Sequence, residues 1–288
     1  ISSSSILGNT ASWGGGIFTN NFSPLTLAGS FISGNTANNR GGGIYARTNS
    51  PLTISSSTIS ENTANTSNGG GVIAKDNSPL TILSSFISGN TARSGGGIHA
   101  RNNSDLTISS SSISGNLSSL IGGGIFTNNF SPLTLKSSSI LGNTARWGGG
   151  IYGGLNSTLT ISSSSISENT ANDDGGGILL FDANMTIQAS SITLNSATLG
   201  TGAGLYITSD GSDVISLINT TISSNEASTA AGGGIYSKST GLGNTLTLQH
   251  VTISDNSGIG TGGFANDAAS TLGITIQNSI IANSTNAD

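Results

Sequence analysis

The sequence predicts an all-β protein, a right-handed parallel β-helix of about ten coils with three short strands in each. Three observations lead there. One phrase, "ISGNTANNRGGGIYARTNSPLTIS" at residues 32–55, returns along the chain, for example as "ISENTANTSNGGGVIAKDNSPLTI" at 59–82. The residues opening its "LTI"-like triplets are Leu25, Leu52, Leu80, Leu106, Leu133, Leu159, Met185, Ile215, Leu246 and Ile274, at intervals of 26–31 residues. No segment sustains helical spacing, and the apolar residues alternate with polar ones over three to five positions.

The first strand of each unit is the "LTI" triplet, whose alternation marks one buried face. The second is "SSxI", carrying Ile32, Ile59, Ile87, Ile113, Ile140 and Ile166. The third is "GGGIYA" and its variants, carrying Ile17, Ile44, Val72, Ile98, Ile125, Ile151, Ile178 and Ile235. Gly, Asn, Ser and Pro turns separate them. Strands this short cannot bury a face alone, but stacked coils can, and parallel crossovers are right-handed. At roughly 4.8 Å per coil the rod is on the order of 50 Å long. The words "GGGIFTNNFSPLTL" stand at both 14–27 and 122–135, which points to duplication of a four-coil block. Residues 1–288 form a single domain on this reading. Because Ile1 opens inside a coil, we expect the segment to belong to a longer chain.

Three residues beyond each second-strand isoleucine stands an asparagine: Asn9, Asn35, Asn62, Asn90, Asn116, Asn143, Asn169, Asn195, Asn225, Asn256 and Asn283. Stacked amides at a turn can relay hydrogen bonds between coils, so this column is expected to be structural. The glycine triplets, such as Gly41, Gly42 and Gly43, permit close approach of neighbouring coils.

Composition limits the function. Only 7% of residues are charged, and the net charge of −5 comes from 13 acids and 8 bases with no basic block. Nucleic-acid binding, which needs clustered Lys and Arg, is not expected. With no cysteine, disulfides and thiolate metal sites are excluded. No apolar run approaches the roughly 18 residues of a membrane-spanning helix.

The GGGI/GGGV and IxxN words, with Phe31 and Phe86 in two copies of "FISGN", resemble the GGA[I/L/V] and FxxN repeats of polymorphic outer-membrane proteins. They are similar more broadly to the repeats of β-helical bacterial surface and autotransporter passenger proteins. The resemblance covers essentially the whole chain, although a third glycine stands where that family usually has alanine. It implies an exported, surface-exposed protein with an adhesive or structural role.

Enzymatic chemistry finds few candidates. Glu61 and Glu168 share a column but lie four coils apart, about 19 Å, beyond the 5–9.5 Å of paired glycosidase carboxylates. The densest acidic group is Glu168, Asp173 and Asp174, with Arg146 one coil earlier. It is a weak catalytic candidate for a polysaccharide-active enzyme, or a polar turn with Asp173 and Asp174 paired to Arg146. No cofactor or metal site is expected. A candidate ligand-binding stripe follows the third strand: Phe18, Tyr45, His99, Phe126 and Tyr152, with Arg47, Lys75 and Arg101 two positions on. If Ile44 points inward, alternation turns Tyr45 and Arg47 outward, a face suited to sugar stacking or a protein partner. Ala46, Ala74 and Ala100 favour that parity; the opposite one makes the rings a core column. The favoured reading is a non-enzymatic extracellular or cell-surface rod, acting as a spacer, adhesive surface or building block that associates end to end. The alternative is a lyase, hydrolase or glycan-binding module.

Overall fold

Four parallel ladders, rather than three, run along the rod. The computed structural model describes residues 1–285. Leu52–Ser55 represents the "LTI" strands, which build a 10-stranded sheet. Thr58–Ser60 represents the second strands, an 11-stranded sheet, and Ile44–Arg47 the strands after the glycine triplets, a 10-stranded sheet. The unexpected ladder runs through the "NTA" words, as at Thr63–Ala64, and is also 10-stranded.

The physical reason for the fourth ladder is small but clear. Ala37, Ala64, Ala92, Ala145 and Ala171 point inward and are buried, while Thr63 N donates to Asn35 O and Asn65 N to Ala37 O, each at 2.9 Å. Where its strand is only two residues long, as at Thr63–Ala64 and Thr144–Ala145, it shows a single inward side chain and therefore no period, so the sequence reads there as a turn.

Every strand pairs with its equivalent in the next coil, and the expected columns are in register. Leu52, Leu80 and Leu106 align, as do Thr53, Thr81 and Thr107, and Ile59, Ile87 and Ile113. One continuous core results, made of Ile44 and Ala46, Leu52 and Ile54, and Ile59 with their equivalents in successive coils. Among the described residues no helix is long and apolar enough to cross a membrane.

The corners are held by side-chain ladders. Asn143 Nδ2 donates to Asn169 Oδ1 (3.0 Å) and to Ile113 O (3.0 Å), while Asn143 N also donates to Asn169 Oδ1 (3.0 Å). The same pattern links the asparagines from Asn9 to Asn256, and those from Asn35 to Asn256 are all buried. Serine forms two further ladders. Ser85 N donates to Ser111 Oγ (3.0 Å) and Ser111 N to Ser138 Oγ (3.1 Å) at one corner; Ser78 N donates to Ser104 Oγ (3.0 Å) at another.

Candidate functional site

The side chains left for function lie on the outer side of the sheet that follows the glycine triplets. Its inward positions are taken by Ile44 and Ala46, so Tyr45 projects away from the main core, as the alternation predicts. The consequence drawn from that parity needs correction. Tyr45 and His99 are fully buried and Phe126 nearly so, and Tyr152 is half-buried; of the ring column only Phe18 is substantially open, at 41%. The preceding segment of each coil flanks the rings. Trp13, Arg40, Asn68, Ser94, Ile121 and Trp147 form a continuous rim, each bridged or hydrogen-bonded to the next coil. A face outside the core is here roofed by its own coil.

The rings contact one another along the axis. Phe18 lies 5.3 Å from Tyr45, His99 4.5 Å from Phe126, and Phe126 5.3 Å from Tyr152 in an edge-on arrangement. Arg47, Lys75 and Arg101 stand in register on three successive strands, as expected. Arg47 Nε donates to Asn20 Oδ1 (3.1 Å) and its guanidinium lies 5.7 Å from the Trp13 ring centre. Lys75 pairs with Asp76 at 3.1 Å, and Asp76 also accepts from Asn102 (2.7 Å). Asp76 is held below the usual carboxylate range: its burial works the other way but is outweighed by those two partners and by the charge of Arg101.

His99 is the group least at ease. Among the described residues neither ring nitrogen has a hydrogen-bond partner, and the Tyr45 hydroxyl and Arg101 Nε are equally buried and unpaired. Desolvation, reinforced by the nearby charges of Arg101, Arg40 and Lys75, lowers its pKa from 6.5 to about 3. The folded ring therefore stays neutral while the unfolded ring takes a proton below pH 6.5. Folding is unpenalised above that pH and is penalised progressively as the pH falls toward 3. By linkage the loss reaches about 4 kcal/mol at the low end. His99→Ile, which repeats Ile73 of the preceding coil, is expected to flatten this part of the acid limb in denaturant titrations between pH 7 and 4. Parallel acid limbs in the two proteins would contradict it.

The acidic candidates are arranged as a turn. Asp173 Oδ2 accepts from Arg146 Nε at 2.8 Å, and the Arg146 guanidinium covers the Trp147 ring at 4.0 Å. Asp174 Oδ1 accepts from Thr201 N (2.8 Å) and Thr201 Oγ1 (2.9 Å). Glu168 is exposed at a left-handed corner (φ 57°), the backbone state that Glu61 shares (φ 56°) in the same column. Among the described residues no three His, Cys, Asp or Glu side chains converge as a metal site.

Sequence reasoning missed Trp147. With Leu120 and Ile121 it forms one wall of a cavity of about 280 Å³, whose other lining includes Tyr152, Asp174, Leu179, Phe181 and Thr208. The signal available was the word "WGGG", which places a tryptophan against the rim at Trp13 and again at Trp147.

Comparison with known proteins adds the family. A family model described as "Right handed beta helix region" matches residues 1–165 and 143–284. Neither the curated proteins nor the solved structures contain a match.

Proposed function

Because the chain belongs to the right-handed β-helix family, we propose that it is a non-enzymatic rod at the cell surface or outside the cell, a spacer or building block that associates end to end. The observation that carries this reading is the regularity of the rod: four parallel ladders of ten or eleven strands, each strand paired with its equivalent in the next coil around one continuous core. The core columns hold their register along it, as where Ile274 and Ile276 align with Leu246 and Leu248, and Ile281 with Ile253. Coils that repeat one cross-section can stack on a second copy as they stack on one another, each strand edge meeting an equivalent strand.

Other features support the reading. The most regular polar side chains, Asn and Ser, are engaged in the ladders, and Asp173 is neutralised by Arg146. Likeness of the GGGI and IxxN columns to bacterial surface repeats supports the surface location and an adhesive contribution. Sedimentation and electron microscopy of segment 1–288 test the assembly. Concentration-dependent growth in length at constant width is expected, and Ile276→Lys with Ile281→Lys should suppress it. A monomer at every concentration would remove end-to-end association from the proposal.

A further inference from the structure

The cavity beneath Trp147 has the chemistry of a binding site, and the geometry points to a single neutral pyranose ring as its ligand. This inference does not depend on how the rod assembles. At about 280 Å³ the cavity falls just below the range of drug-sized ligand pockets, which starts at roughly 300 Å³, and so suits a smaller ligand. That volume accommodates one ring, held between side chains of successive coils.

Its lining combines two kinds of surface. Trp147, Tyr152, Leu179 and Phe181 supply flat aromatic and apolar walls of the kind that pack against the C–H face of a sugar. Asp174 and Thr208 supply polar atoms at the same opening, and the Tyr152 hydroxyl forms no hydrogen bond among the described residues. Asp174 uses Oδ1 for Thr201, which fixes the carboxylate and leaves Oδ2 to accept from ligand hydroxyls. The Thr208 hydroxyl donates to Lys238 O (3.4 Å) and keeps lone pairs to accept, while the Tyr152 hydroxyl can donate; beside a fixed carboxylate acceptor they match the mixed demands of adjacent sugar hydroxyls.

Charge selects among sugars. Asp174 lines the cavity, and Asp182 lies close enough to help burial raise the Tyr152 pKa to about 12. Arg146, which contacts Trp147, is already paired with Asp173. The opening is therefore net negative and disfavours a uronic acid. Arg146 also covers one face of the Trp147 ring at 4.0 Å, which holds the indole in place.

The test uses the tryptophan itself. There are only two tryptophans, so Trp13→Phe leaves Trp147 as the sole indole. Its emission is followed while glucose, galactose, mannose, N-acetylglucosamine and, as the charged probe, glucuronate are titrated. At least one neutral sugar is expected to give a saturable change in the millimolar range, with glucuronate about tenfold weaker. Asp174→Asn and Phe181→Ala are each expected to weaken binding about tenfold, a factor typical of losing one charge-assisted hydrogen bond or one stacking wall. If Asp174→Asn lowers the melting temperature, Thr208→Val, which touches no corner ladder, carries the same expected direction. The inference is overturned by the absence of saturation with every neutral sugar, by glucuronate binding as tightly as the neutral sugars, or by undiminished affinity in a folded Asp174→Asn or Thr208→Val protein.

Discussion

Asn143→Ala is expected to destabilise the rod by about 4 kcal/mol or more, as is truncation of any other buried asparagine in the same ladder. The amide serves both neighbouring coils. Its Nδ2 donates to Asn169 Oδ1 and Ile113 O, and its Oδ1 accepts from Asn116 N (2.9 Å) and Asn116 Nδ2 (2.9 Å). Truncation removes all four bonds: Asn116 N and Ile113 O lose this partner outright, while Asn116 Nδ2 keeps Ile87 O and Asn169 Oδ1 keeps Asn143 N, and each buried bond lost costs on the order of 1 kcal/mol or more. Alanine offers no compensation, since no water can enter a corner where the neighbouring asparagines are fully buried. The end of the ladder supplies the control. Asn9 is exposed and donates only to Asn35, so Asn9→Ala should cost about 1 kcal/mol. Because each coil contacts only its neighbours, the damage from Asn143→Ala should be local. Hydrogen exchange is expected to lose protection around Asn116, Asn143 and Asn169 before the terminal coils, alongside a lower denaturation midpoint. Equal midpoints for the two variants would show that the ladder does not hold the corner.

Gly124→Ala should be nearly as damaging, for a steric reason. An added Cβ would stand 2.7 Å from Gly150 O and 3.0 Å from Asn143 Nδ2. One neighbour is backbone and the other is the amide of the ladder, so neither can yield cheaply. The coils must separate, weakening the Gly124 N to Gly150 O hydrogen bond (3.1 Å). About 3 kcal/mol is expected, measured by chemical denaturation. Gly115→Ala is the comparison. Gly115 has φ 60° and nothing within 4 Å of an added Cβ, so only the left-handed backbone penalty of about 1 kcal/mol applies. Glu61, Glu168 and Leu194 occupy that same left-handed corner, which shows that a side chain is tolerated there. The middle glycine column also accepts one alanine, Ala203, whereas the third column is glycine from Gly16 through Gly263. That third glycine is the departure from the surface-repeat pattern noted in the sequence, and its packing against the asparagine amide accounts for it. A Gly124→Ala protein as stable as Gly115→Ala would refute the steric account.

These two results bear on what could be seen before any coordinates. Leu52, Ile54 and Ile59 were legible because each sits on a strand with one buried face, and the asparagines because an uncommon residue recurs at a fixed offset. The serine ladders carried the same signal: Ser30, Ser57, Ser85, Ser111 and Ser138 recur once per coil. Their column was hidden by the abundance of serine around it. The burial of Tyr45 and His99 was not legible, because alternation distinguishes only two sides of a strand and says nothing about a rim folded over the outer one. The Trp147 cavity was further out of reach. Its lining comes from several coils, and Thr201, which fixes Asp174, lies in an irregular turn between Ala197 and Leu205.

The asparagine ladder makes the corner alike at each junction between coils from Asn9 to Asn256. Excising or inserting a whole number of coils therefore leaves no mismatched seam, whatever the sequence of the displaced turns. Length becomes a property that genetic slippage can change in steps of about 5 Å without inventing a new interior. The identical words at 14–27 and 122–135 fit growth by whole coils. A rod built this way can change its reach in whole coils while its cross-section stays constant.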